Sequence, residues 1–245
     1  MKYYLLIIFF IVVSGCGGDP QNSNLDLDNF IKPEFSTNQT SLNCNLVSGK
    51  TLNSVERFIP KFVNSFSRID GGAEELFFLF PLLKDDQIDT KSFKLVFNHS
   101  NQLSLDRFKL TLEKLSFDEI AECEGSDILT RSLNLTSQNI LDSNVISEIL
   151  NCEYIEGFNY ATLKLVLEQL TDALLKYNSP VDIFYGEVLD SENQFQWTNI
   201  FLSLESRQEF IESWQSLEIS KEIQSMLLEQ SICQPSKMYR RYKVI

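Results

Sequence analysis

Histidine is the scarcest of the side chains that carry chemistry here: His99 is the only one. A zinc site with two imidazole ligands, or acid–base work shared by two histidines, is therefore excluded. Five cysteines stand at positions 16, 44, 123, 152 and 233. A four-thiolate zinc site wants closely spaced C-x2-C pairs, and the sequence has none. Arg131 and Arg241 each follow a cysteine by the same eight residues, and a recurring arginine either binds an anion or forms a salt bridge. No G-x-S-x-G elbow, P-loop or G-x-G-x-x-G run is present. The acidic pairs Glu74-Glu75, Asp85-Asp86 and Asp118-Glu119 read as solvated faces, Trp197 and Trp214 as core aromatics, and His99 as a loop residue. On these grounds no catalytic residue, metal or cofactor is assigned.

The formal net charge is −13, from 34 acidic and 21 basic side chains. A surplus of that sign excludes a binder of duplex nucleic acid that works by phosphate neutralisation. An apolar fraction of 43 %, with 19 phenylalanines, is enough for a core. At the N-terminus Lys2 precedes an unbroken apolar run, Tyr3 to Val13. It is shorter than the roughly 20 residues a membrane span needs and suits the hydrophobic region of an export signal. The run ends in Val13-Ser14-Gly15-Cys16, which resembles the bacterial lipobox. That resemblance implies cleavage before Cys16, acylation of its thiol and new amino group, and anchorage on a membrane facing the periplasm. Several acyl chains on one residue give stable attachment where one gives marginal binding. Removal of residues 1–15 leaves 20 basic and 34 acidic side chains, a net charge of −14. Gly17 rather than Asp follows the cysteine, which by resemblance to Gram-negative sorting favours the outer membrane. Residues 16–41, opening Gly17-Gly18-Asp19-Pro20 and closing Ser36-Thr37-Asn38-Gln39, read as a tether with too little apolar area to offset ordering entropy. Asp26 and Asp28 lack the glycine of a calcium loop and read as solvated.

The remainder reads as one unit written twice, residues 42–135 and 151–245, joined by a linker 136–150 with a short helix around Val145–Leu150. Asn43-Cys44 to Gly49 matches Asn151-Cys152 to Gly157 at an offset of 108. Behind each glycine comes one helical face, Val55, Phe58, Ile59, Phe62 and Phe66 against Leu163, Val166, Leu167, Leu170 and Leu174. Pro60 predicts a kink near Phe58 or a helix in two pieces. Two apolar extended runs follow in each unit: Leu76–Phe80 and Phe93–Phe97, then Val181–Tyr185 and Phe195–Asn199. The offset falls to 102 and holds through a second helix, Phe108, Leu112 and Leu115 against Phe210, Trp214 and Leu217. It rises to 110 at Cys123 and Cys233, which lead into a last strand.

Each unit thus reads β-α-β-β-α-β, the ferredoxin-like arrangement with both helices on one face of an antiparallel sheet. The bare face needs a partner, and the second copy supplies it. Two such sheets facing each other resemble the dimeric α+β barrel superfamily, here as a pseudo-dimer within one chain and so a monomer. In an exported chain the four cysteines beyond Cys16 argue for two disulfides. Three connectivities are open. A pair in each unit favours bonding within units, while an expected placement at opposite ends of neighbouring strands weakens it.

The superfamily resemblance implies a cleft between sheet and helices that can take haem or an apolar substrate for cofactor-free oxygenation. Haem ligation there commonly uses a histidine, and His99, present in one unit only and just past its third strand, is poorly placed for it. Phe93, Phe97, Trp197 and Asn199, with Arg131 and Arg241, are candidates to line a pocket for a small apolar ligand. The alternate parity, Lys94, Val96, Gln196 and Thr198, is equally open. The leading expectation is a lipid-anchored envelope protein acting as a binding or structural module. The alternative is a small-molecule enzyme, cofactor-free and oxygenase-like, using a sheet or inter-sheet cleft.

Overall fold

The computed structural model describes residues 36–66, 74–83, 87–136 and 145–245. Cys16, most of the expected tether, Gly71-Gly72 and Asp85-Asp86 lie outside the described residues. The first unit contains β1 (Ser36–Leu46), α1 (Leu52–Ser65), β2 (Glu75–Pro81), β3 (Ser92–His99), α2 (Gln102–Lys114) and β4 (Ala121–Asn134). The second contains β5 (Val145–Tyr154), α3 (Tyr160–Lys176), β6 (Asp182–Val188), β7 (Gln194–Phe201), α4 (Leu204–Gln215), α5 (Glu218–Gln230), β8 (Ser231–Cys233) and β9 (Lys237–Lys243).

Both units have the ferredoxin-like strand order. The first runs β4-β1-β3-β2; in the second, β8 and β9 share one edge of β5, and β7 and β6 follow on the other. The free edges then join antiparallel, β2 to β9 and β4 to β6. The sheet closes on itself through these two seams, leaving β8 and the first half of β4 paired on one side only among the described residues. Strand alternation divides the side chains into two sets. Odd positions of β3 and even positions of β1 face the helices, where Phe93, Leu95 and Phe97 meet Val55, Phe58 and Phe62 of α1. In the second unit Leu163, Val166, Leu167, Leu170 and Leu174 of α3 bury against Ile183, Tyr185 and Phe195. The opposite parity points into the barrel, where Phe77, Leu79, Val96, Ile149 and Tyr239 form a small interior core.

The turn after the first strand of each unit is set by a glycine: Gly49 at φ +80° and Gly157 at φ +90° take a left-handed conformation that strains other residues. Asn101, Asn159 and Ser203 cap α2, α3 and α4 by accepting hydrogen bonds from backbone N–H groups of the first turn.

Several expectations are corrected. Pro60 lies inside α1, which runs as one element from Leu52 to Ser65, so of the two expected outcomes the helix in two pieces is excluded. The stretch Val145–Leu150 is strand, not helix: its residues are almost all buried, with one face in the barrel and the other under the helices. β1 likewise opens at Ser36, inside the stretch read as tether, because β3 and β4 pair with it along its length. Glu74 is buried and accepts a hydrogen bond from Ser104 Oγ at 2.7 Å, and Glu75 pairs with Lys243 at 2.7 Å. Neither is simply solvated. His99 is the last residue of β3 and is buried.

The disulfides join Cys44 to Cys123 and Cys152 to Cys233, one in each unit. The predicted objection to this pairing fails because β4 starts at Ala121, ahead of its cysteine. Cys123 therefore stands directly opposite Cys44, as Cys233 of β8 stands opposite Cys152.

Candidate functional site

Where the two units differ, the second has a hollow. α4 and α5 stand off the outer face of β5 and β7 and enclose a cleft of about 510 Å³. Its apolar walls include Leu170, Phe195, Trp197, Phe210, Trp214 and Leu227. The same location in the first unit is solid. There the short 3-10 turn Phe117–Glu119 takes the place of α5, and Phe117 lies 4.6 Å from Phe58 and 6.3 Å from Phe93, centroid to centroid. Phe97 stacks on Phe108 at 4.3 Å. Of the four candidates on this face, Trp197 and Asn199 therefore line a cleft, whereas Phe93 and Phe97 fill one. Trp214 is half-buried in the cleft wall rather than enclosed in the core.

One end of the cleft is polar, and its geometry is fixed by a directed chain of hydrogen bonds. Trp197 Nε1 donates to Asn199 Oδ1 at 2.7 Å, and Asn199 Nδ2 donates to Glu148 Oε2 at 3.3 Å. Glu148 Oε1 accepts from Arg207 Nη2 at 2.5 Å and from Ser236 Oγ at 2.9 Å. Burial pushes the Glu148 carboxyl up. The Arg207 guanidinium, Ser236 and Asn199 outweigh that and hold it below the usual carboxylate range, so it is ionised at neutral pH. Arg207 Nε is buried without a partner beside this pair. Neither Glu148 nor Arg207 stood among the sequence candidates. The available signal was an acid inside the otherwise apolar run Val145-Ile146-Ser147-Glu148-Ile149-Leu150.

The two candidate arginines part company. From Cys44 opposite Cys123 to Ser36 opposite Arg131, β1 and β4 advance by equal steps. In the second unit, three steps from Cys152 to Ile149 are matched by four from Cys233 to Lys237. The extra residue, beside Pro235, reverses the facing of everything after it. Arg131 emerges on the outer face, 3.3 Å from Glu187 and over the Tyr160 ring. Arg241 points into the barrel with its guanidinium 3.7 Å from the Phe77 ring centroid. Neither lines the cleft.

The residues do not suit haem. The His99 ring nitrogens are engaged by Thr40 Oγ1 at 3.3 Å and by the Asn101 carbonyl at 3.2 Å, and the ring stacks on Phe97 in the solid unit. The cleft is lined by no histidine, and its two cysteines, Cys152 and Cys233, are bonded to each other. No imidazole or thiolate is offered as an axial ligand.

No protein-family model matches the chain, and no curated protein matches it. Solved structures do. A provisionally assigned monooxygenase of Lactobacillus acidophilus NCFM superposes with a TM-score of 0.53 at 10 % identity, covering 85 % of this chain and 95 % of its own. Another, from Fusobacterium nucleatum subsp. nucleatum ATCC 25586, gives 0.55 at 11 % identity, with 86 % and 94 % covered. The chlorite dismutase of Candidatus Nitrospira defluvii in complex with imidazole gives 0.53 at 9 %, with 85 % and 92 % covered. These comparisons correct the expectation of a binding or structural module: the proteins that share this architecture over nearly their whole length are described as enzymes, which favours the alternative. The fold itself is that of the dimeric α+β barrel, an antiparallel sheet closed into a barrel, with both of its units supplied by one chain.

Proposed function

We propose that this chain is a lipid-anchored envelope enzyme that oxygenates a small, electron-rich aromatic substrate without a resident cofactor, in the cleft beneath α4 and α5. The observation that carries the reading is the open, aromatic-walled cleft of about 510 Å³ with one polar end, beside a twin that is filled. Its size and its mix of apolar walls with a few convergent polar groups suit a small-molecule site. A cofactor-free monooxygenation draws all its electrons from the substrate. A carbon bearing two removable hydrogens becomes a carbonyl, one atom of O₂ enters the product, and the other leaves as water.

Such a substrate is a phenol or enol whose anion can reduce O₂. Glu148, held as a carboxylate, accepts a hydrogen bond from the substrate hydroxyl and orients it. A carboxyl held this low is a weak base, so its part is positioning rather than carrying the proton. Two disulfides support an oxidising compartment and agree with export through Cys16.

The test is oxygen uptake with a panel of hydroxylated naphthalenes and anthrones, read beside quenching of Trp197 and Trp214 fluorescence. Asn199→Phe installs the residue that Phe97 represents in the filled unit, and it should abolish quenching and cut uptake by about tenfold or more. Uptake equal in wild type and variant, or no binding of any panel member, would overturn the reading. Mass analysis of the chain and its Cys16→Ala variant tests the anchor: an acyl mass on the first alone is expected, and equal processing of both would overturn it.

A further inference from the structure

The inner face of the barrel has its own cavity. At the mouth where β1 and β5 end and β3 and β7 begin, a space of about 500 Å³ is lined by Ser41, Asn43, Lys94, Asn151, Gln194 and Gln196. Pseudo-twofold symmetry relates Asn43 to Asn151 and Lys94 to Gln196, by the same offsets of 108 and 102 that relate the strands. One asparagine pair is therefore matched across the mouth, and an ammonium stands where the other unit has the Gln196 amide.

That ammonium is poorly matched. Lys94 is 6 % exposed, and its Nζ donates to Ser41 Oγ at 3.1 Å. An ammonium carries three donors, so two are left for the cavity. The charge that acts on it most is Lys237, of like sign. Glu153, on the rim, accepts instead from Gln194 Nε2 at 3.2 Å. Gln196 Nε2 donates to Asn151 Oδ1 at 3.2 Å, so the Asn151 oxygen is occupied and its Nδ2 hydrogens remain for an acceptor. Buried charge is normally paired, and what is missing here is one negative charge with acceptor oxygens.

We propose that the barrel mouth is a binding site for a small carboxylate, held by Lys94 Nζ and by the side-chain amides of Asn43 and Asn151. One buried cation balances one negative charge, and two carboxylate oxygens reach an ammonium and an amide together. Consistent with an absent counter-charge, burial and then Lys237 pull the Lys94 amine down to about 8. Lys94, Asn43 and Asn151 lie on the opposite face of the sheet from Trp197 and Asn199, although the two cavities share Cys152, Phe195, Cys233 and Gln234 at the rim, and the site does not rest on the oxygenase reading.

Isothermal titration of the purified full chain in detergent, with acetate, pyruvate and benzoate at fixed ionic strength and phosphate as comparison, tests it. Saturable 1:1 binding of at least one carboxylate is expected. Lys94→Met should weaken that binding about tenfold or more, and Asn43→Asp, at the exposed rim, about threefold or more by like charge. The rim change tests the same site without altering the buried face. Trp214→Ala, in the cleft wall, should leave carboxylate affinity unchanged. Binding of phosphate alone, no saturable carboxylate binding, or affinity unmoved by the rim aspartate would overturn the proposal.

Discussion

Lys94 and Glu148 are both buried ionisable residues with opposite solutions. Glu148 has an arginine, an amide and a hydroxyl around it, while Lys94 has one hydroxyl. The amine of Lys94 lies at about 8 in the fold against an ordinary 10.5. Between those values the unfolded chain binds more protons, so this group adds stability as pH rises from about 8 to 10.5 and penalises the fold most below that window. The penalty is about 3 kcal/mol at neutral pH. In urea melts Lys94→Met is expected to be the more stable by about that amount near pH 7, the difference closing above pH 10.5. A difference independent of pH would refute the assignment. For Glu148 the sign is reversed. Its lowered value gives stability that is present above the ordinary 4.5 and lost as pH falls through the folded value. Glu148→Gln should cost about 1–3 kcal/mol near neutral pH, because it leaves the half-buried Arg207 without its counter-charge, and the cost should fade in acid. At this scale, strand parity in the sequence placed Trp197 and Asn199 on one face and Lys94 on the other. It could not say which face was hollow, since cavity volume depends on neighbours far away in the chain. Arg207 had no local mark, being one charge among many on α4.

Among elements, α5 and the irregularity at Pro235 account for most of the asymmetry. The rise in offset from 102 to 110 announced eight additional residues ahead of the last cysteine. The reading of two helices per unit left α5 out, although Ile219, Ile223, Met226 and Leu227 carry a helical period at i, i+4, i+7 and i+8. What was not legible is that α5 stands where Phe117 stands in the other unit. The extra residue between β8 and β9 was hidden for a different reason: a one-residue slip changes which way side chains point without changing the pattern of residue types before it. Deleting Pro235 should restore even stepping, three residues against three, and leave Lys237 opposite Ile149 with Tyr239 and Arg241 still facing the barrel. The expected result is a folded chain with a cooperative thermal transition. Loss of that transition would show that β9 cannot close without the extra residue.

The whole molecule is held by two covalent clips of similar span, with sequence separations of 79 and 81 residues. In the first unit the clip ties β1 to β4, its last strand, and in the second it ties β5 to the short β8 ahead of β9. By loop-closure entropy each is worth about 4–5 kcal/mol. Replacing either pair with alanines should lower the unfolding free energy by that order, and equal melts in the presence and absence of reductant would contradict it. The duplication, the strand order and the need for one sheet to cover the other were readable from spacing alone. The manner of closure was not: β2 with β9 and β4 with β6 are contacts between distant edges, set by the shape of the finished barrel. That closure has a consequence for how the protein can change. When a barrel is assembled from two identical chains, every substitution happens twice, and a wall cannot be thickened on one side alone. Here the halves are separate stretches of one chain and vary independently. One has a solid phenylalanine core beneath its helices, and the other has a hollow.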